Sequence, residues 1–127
     1  MDEDRKRLYA IWEAIQRIQH YHLRGVEFFE QSELLQGWIA QHLTIIADAV
    51  RQVSPGIKEA RPDAPWVKFI QLANTLTHEW SKAEGSVVLT AIERDLPELR
   101  RHVEEILLDM NRGGKRETGG VTGQAPG

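Results

Sequence analysis

At 127 residues the chain has the length of one domain, not two, and such a domain can bury enough apolar surface to hold together without staples. It contains no cysteine, which excludes a disulfide framework, a thiolate metal site and a cysteine nucleophile. Sixteen Lys and Arg against nineteen Asp and Glu give −3; residues 111–127 carry +2, so the rest of the chain carries −5. A body of that sign lacks the global basic field that drives non-specific nucleic-acid binding, although it can still hold a small basic patch. No apolar run approaches the roughly 20 residues that span a membrane. The opening Met1-Asp2-Glu3-Asp4 has the wrong sign for a secretory signal. A soluble cytoplasmic protein with no membrane partner is expected.

Helical periodicity dominates the chain. Leu8, Ile11, Trp12, Ile15 and Ile18 mark one face of a first helix. Asp2, Glu3 and Asp4 stand at its start, where the helix dipole favours negative charge. Gly25 closes or follows it. Ser32 suits an N-cap for a second helix, whose stripe reads Leu35, Trp38, Ile39, His42, Ile45, Ile46, Ala49, Val50 and Val53. Ser54-Pro55-Gly56 stops it. Residues 57–63 read as a connector with room for one helical turn. Asp63 and Pro65 open a third helix through Trp66, Phe69, Ile70, Ala73, Leu76 and Trp80. A short fourth helix is predicted over 84–93, through Val87, Val88, Ala91 and Ile92. Asp95 and Pro97 restart the chain into a last stripe of Leu96, Leu99, Val103, Ile106, Leu107 and Met110. No segment alternates with period two. From Asn111 the apolar pattern ends, and six of the ten glycines lie in 111–127. Such a segment cannot offset the entropy of ordering. The expectation is an all-α antiparallel bundle of four to five main helices over residues 1–110, followed by a disordered Gly-rich tail over 111–127.

Few residues stand out for chemistry. His20 and His22 are two apart and point about 200° from each other on a helix, so no metal site is expected there. His42 interrupts the apolar stripe of the second helix and reads as a hydrogen-bonded core or interface histidine. Asp48 lies near the buried edge of that helix as a possible partner or orienting carboxylate. His102 reads as a solvated surface residue. Trp12, Trp38, Trp66 and Trp80 fall on helical stripes; core packing is favoured over a platform for stacked bases. On the third helix, Trp66, Phe69, Ile70, Ala73, Leu76, Thr77 and Trp80 fall within about a 120° arc. Asn74 and His78 share another face with Gln71 beside them. Asn74 can orient an imidazole or contact a phosphate oxygen, and His78 can move a proton near neutral pH. A solvated helix face is the plainer alternative.

The stretch Arg61-Pro-Asp-Ala-Pro-Trp-Val-Lys-Phe-Ile-Gln-Leu-Ala-Asn-Thr-Leu-Thr-His-Glu-Trp80 resembles the signature helix of HepT-like proteins, members of the HEPN superfamily of helical ribonucleases. The family pattern is Pro-Trp-x-x-Ile-x-x-x-Arg-Asn-x-Leu-x-His-x-Tyr, and this chain matches it at Pro65, Trp66, Asn74, Leu76 and His78. Asp4-Arg5, Glu13-Ala-Ile-Gln-Arg-Ile18, Leu43-Thr-Ile-Ile-Ala-Asp-Ala49 and Asp95-Leu-Pro97 also resemble family segments in the right order.

The resemblance implies a helical bundle that forms a homodimer. It implies an RNA-cleaving site built where Arg-x4-His motifs of two chains face each other, with no metal and no cofactor. It also implies a minimal nucleotidyltransferase (MNT) antitoxin as partner, which modifies the family's tyrosine with AMP. On that basis His78 and Asn74 are the expected catalytic residues, with Asp48 and His42 in possible supporting roles. Two positions depart from the pattern. Ala73 stands where the family has arginine, and a methyl group cannot stabilise phosphate charge. Trp80 stands at the AMP-acceptor position, and an indole has no hydroxyl to modify. A single engineered knock-out would account for Ala73 but not for Trp80. Weak or absent cleavage is expected. Lys68 is a poor substitute for the missing arginine, lying about 140° around the helix from residue 73; Lys82 is better placed in sequence. The alternative reading is a non-catalytic HEPN module that keeps the dimer and partner surface alone.

Overall fold

The computed structural model describes residues 2–22, 33–75 and 82–119, with side chains described over 3–21, 33–75 and 85–112. Among these residues there is no strand. The elements are α1 (Asp2–His22), α2 (Glu33–Gln52), a short α3 (Pro55–Ala60), α4 (Trp66–Thr75), α5 (Lys82–Thr90) and α6 (Leu96–Gly119). The fold is an all-α bundle. The expected turn within 57–63 is present as α3, whose first residue is the proline that ends the stripe of α2. Gly25 and Ser32 lie outside the described residues.

Helix α2 packs against both α1 and α4, and α1 also lies against α6. The contacts set the directions. Near the start of α1, Asp4 bonds Ser54 just beyond the end of α2, while near the end of α1 the Tyr21 ring lies 4.6 Å from Trp38 early in α2. The two helices are therefore antiparallel. Trp12 reaches Glu104 and Gln19 reaches Arg100, so α1 and α6 are antiparallel as well. The predicted stripes supply the core: Leu8, Ile11, Ile15 and Ile18 of α1, Leu43, Ile46 and Val50 of α2, Phe69 of α4, and Leu96, Leu99 and Val103 of α6 are fully buried. Trp12 is half-buried, and its indole N–H is used: Nε1 donates to Glu104 Oε2 at 2.9 Å, and Arg100 lies over its ring.

Asp4 does more than complement the helix dipole. It is buried, and its two oxygens accept from the Ser54 N–H at 2.8 Å and the Ser54 Oγ–H at 2.7 Å. The Ser54 hydroxyl and N–H hold its carboxyl below the usual range, against the opposing effect of burial. The contact ties the start of α1 to the corner between α2 and α3.

One predicted boundary is corrected. Asp95 and Pro97 do not restart the chain. Helices α5 and α6 run on through a single widened turn, Ala91–Asp95, in which the Leu96 N–H donates to the Ala91 carbonyl five residues back. Pro97 has no N–H and would press on the carbonyl four residues before it in a regular helix. A π-type turn directly ahead of it relieves that conflict without breaking the helix. Ala91, Ile92 and Leu96 stay buried through the turn, so the apolar stripe crosses it.

Helix α6 extends to Gly119, further than the apolar stripe, which stops at Met110. Residues 120–127 lie outside the described residues. Asn111 and Arg112 are exposed, and among the described residues Arg112 bonds Asp109, one turn back. Deleting residues 111–127 is therefore expected to change stability by less than about 1 kcal/mol. A thermal scan showing a large loss of cooperativity would contradict this.

Candidate functional site

Helix α4 carries the motif, and three contacts fix its position. At its entry the Trp66 N–H donates to the Ala64 carbonyl at 2.9 Å, and Trp66 Nε1 donates to the Arg61 carbonyl at 3.0 Å. Phe69 and Leu72 then bury themselves in the core beside Trp66. Lys68 reaches Asp95 in the widened turn at 2.8 Å. The buried face thus centres on Trp66, Phe69 and Leu72. Leu72 was not part of the predicted stripe. Ala73, placed by periodicity in the middle of that stripe, is instead half-buried at its margin, next to exposed Asn74.

Arg61 holds the entry of α4 from the other side. Its guanidinium bonds Glu105, lies 3.3 Å from His102 Nδ1 and 3.8 Å from Asp109 on α6. His102 is consequently buried, a correction to its reading as a solvated surface residue. Helical spacing sets His102 at the edge of the last apolar stripe, between Leu99 and Ile106. It could not show that Arg61, 41 positions away, covers that face. Arg101 approaches the other ring nitrogen at 3.2 Å. A neutral imidazole can accept at only one nitrogen, and a protonated one would present N–H groups to two guanidiniums. Burial, then Arg101 and Arg61, hold the imidazole below its usual range, against the pull of Glu98 and Glu105.

This gives a pH dependence with a definite sign. A histidine whose folded pKa is depressed contributes stability that is complete above its unfolded value, 6.5, and is lost as pH falls from there through the folded value. The unfolding temperature is expected to drop as the pH falls below 6.5. The drop should shrink in His102→Gln. An equal drop in both proteins would remove His102 as its source.

Across from Asn74 stands Arg51, in the last turn of α2, where a cation suits the helix dipole. Its Nη2 donates to Asn74 Oδ1 at 3.0 Å, and its Nη1 donates to Asp48 Oδ1 at 2.8 Å. All three side chains are exposed. Because Asn74 accepts through its oxygen, its amide N–H groups are turned elsewhere. The structure therefore joins two residues singled out in the sequence, Asn74 and Asp48, through a third that was not. Arg51 lies one turn beyond Asp48, next to the segment that resembles the family; that proximity was the available signal.

Asp48 does not serve His42. The latter is buried, with Nδ1 2.8 Å from the Trp38 carbonyl, to which its N–H donates, and its ring 4.0 Å from the Trp38 ring. His42 is a packed core histidine. Trp66 is buried and Trp12 and Trp38 are half-buried within the bundle. His78 and Trp80 lie outside the described residues, as does the side chain of Lys82. Lys68 is engaged with Asp95. Among the described residues no group of three or more His, Asp or Glu side chains is placed to hold a metal ion, and no helix is long and apolar enough to cross a membrane.

The fold is an all-α bundle, and the retained Asn74 stands exposed near the end of α4. The family profile described as Ribonuclease HepT-like matches residues 11–106, so the chain belongs to the HepT-like ribonuclease family. It is similar to "Putative RNase TTE0752" of Caldanaerobacter subterraneus subsp. tengcongensis, 26% identical over 87 residues, which are 67% of this chain and 78% of that protein. It is also similar to "Putative RNase MJ1216" of Methanocaldococcus jannaschii, 23% identical over 105 residues, covering 81% of this chain and 86% of that protein. A third relative, "Gamma-glutamylcyclotransferase and putative RNase MJ0434" of the same organism, is 24% identical over 108 residues, 83% of this chain and 49% of that protein. No solved structure matches the chain.

Proposed function

We propose that this HepT-like chain is the toxin-side subunit of a HEPN/MNT toxin–antitoxin pair: a cytoplasmic homodimer that cleaves RNA slowly and without metal. The observation that carries the reading is the state of the motif. Asn74 is retained and stands exposed at the margin of α4, bonded to a cation, rather than packed in the core. His78, four positions on, is the proton-transfer group. In the reaction a ribose 2′-oxygen attacks the adjacent phosphorus, the bond from phosphorus to the 5′-oxygen breaks, and a 2′,3′-cyclic phosphate and a 5′-hydroxyl result. One imidazole takes the 2′-hydroxyl proton and another delivers a proton to the departing oxygen. Two copies of His78, one per protomer, supply both roles. Charge on the phosphate must be stabilised by a donor or cation, and at residue 73 there is only a methyl group. The cleavage is accordingly slow. Trp80 cannot accept AMP, so an MNT partner restrains this chain by binding rather than by modifying that position.

The second reading, a non-catalytic HEPN interaction module, is favoured by Ala73 and Trp80 together, since they remove the charge-stabilising group and the AMP acceptor. Incubating the purified chain with labelled single-stranded RNA in EDTA separates the two. Slow cleavage abolished by His78→Ala, with a dimer by light scattering, is expected. A dimer that leaves RNA intact, with Ala73→Arg equally inert, would establish the interaction module instead.

A further inference from the structure

The arrangement around Asn74 contains a group that the motif lacks. Arg51 commits one N–H of Nη2 to Asn74 and one of Nη1 to Asp48. A guanidinium carries five N–H donors, so most of its donor capacity is unused among the described residues. Its side chain is 42% exposed and that of Asp48 58%. An exposed ion pair within one helix contributes little and does not lock its members, whereas a guanidinium binds a phosphate through two parallel, charge-assisted bonds. Lys68, in the first turn of α4, is held by Asp95. The bond to Asn74 spans 23 positions of sequence and sets the cation directly against the residue that follows Ala73.

We propose that Arg51 contacts the RNA phosphate in this chain, supplying from α2 the positive charge absent at residue 73. The inference rests on the RNA-cleaving reading above. Asn74 holds the guanidinium at the margin of α4 and turns its own amide N–H groups outward as further donors to the phosphate oxygens. Asp48 steadies the guanidinium while no anion is present and is displaced from it when a phosphate binds. The charge arrives from a neighbouring helix instead of from the motif itself, so it is set less directly on the reacting phosphate. Slow rather than absent cleavage follows.

The test uses the full-length chain and a labelled single-stranded oligoribonucleotide, followed by fluorescence anisotropy across a range of salt and by cleavage in EDTA. Arg51→Ala is expected to weaken binding about tenfold and to slow cleavage at least about tenfold. It should also reduce the slope of log affinity against log salt by about 0.7, the loss of one phosphate contact to a single strand. Arg51→Lys keeps the charge and should keep the slope. If Arg51 only tied α2 to α4, both variants would lower the unfolding temperature and neither would change the slope. Arg51→Gln, which can still bond Asn74, guards against a folding defect and should behave as Arg51→Ala does. Binding and cleavage unchanged in Arg51→Ala and Arg51→Gln, with the unaltered chain active, would overturn the role of Arg51 and leave the RNA-cleaving reading standing. An unaltered chain that neither binds nor cleaves the RNA would overturn both.

Discussion

Ala73→Arg is expected to raise the rate of RNA cleavage at least about tenfold, because one charge-stabilising group at a developing oxyanion is commonly worth a factor of about a hundred or more. The lower figure allows for the charge that Arg51 already brings. The substitution can be accommodated. Had residue 73 lain at the centre of the buried face, as its periodicity suggested, a guanidinium there would incur a heavy desolvation cost. It lies at the margin, half-buried and next to exposed Asn74, so the arginine stem can follow the apolar edge while the head reaches water. The two arginines would then serve one phosphate, and their effects should not add. Arg51→Ala ought to cost less in the Ala73→Arg background than in the unaltered chain. A single-turnover assay on the four proteins measures this coupling. An inactive Ala73→Arg that keeps its fold would show that more than the arginine has been lost.

The largest stability effect is expected at Phe69. Its side chain is fully buried, and with Leu72 it packs the middle of α4 into the core. Phe69→Ala removes that contact and leaves a cavity, a change that costs about 3–5 kcal/mol out of a typical total of about 5–15 kcal/mol. For a chain of this size the unfolding temperature should fall by about 10–20 °C, read by circular dichroism. The same change loosens α4 from α2 and so separates Asn74 from Arg51. RNA cleavage should fall even well below the new unfolding temperature. A shift of less than about 3 °C would mean that α4 is held mainly at its start, through Arg61 and Lys68.

What could be read from the sequence was what one helix shows by itself. The stripes of α1 and α2 carry their buried residues at helical spacing, and the structure buries most of the same ones. The Ser54-Pro55-Gly56 stop is equally local. Pro97 was misread because a proline usually ends a helix, and spacing cannot show that one wider turn lets the stripe from Ala91 to Leu99 continue across it. The other misreadings involve side chains that meet across the bundle. Asp4 looked like a first-turn acid until Ser54, 50 positions away, was found bonded to it. His102 looked solvated because nothing near it in sequence reveals Arg61. Within the candidate site the motif helix was legible and its neighbour was not. Asn74 could be aligned by pattern, but the pairing of Arg51 with it depends on how α2 lies on α4, which periodicity leaves open.

Analysis of the RNA ends most directly tests the central claim that this chain cleaves RNA through the ribose 2′-oxygen without metal. Labelled single-stranded RNA would be incubated for an extended time with the unaltered full-length chain in EDTA, with His78→Ala as control, and the product termini identified by mass spectrometry. A small yield of fragments ending in 2′,3′-cyclic phosphate and beginning with 5′-hydroxyl, absent from the control, is expected. Fragments with 3′-hydroxyl and 5′-phosphate ends that form only when a divalent metal is supplied, or intact RNA throughout, would contradict it.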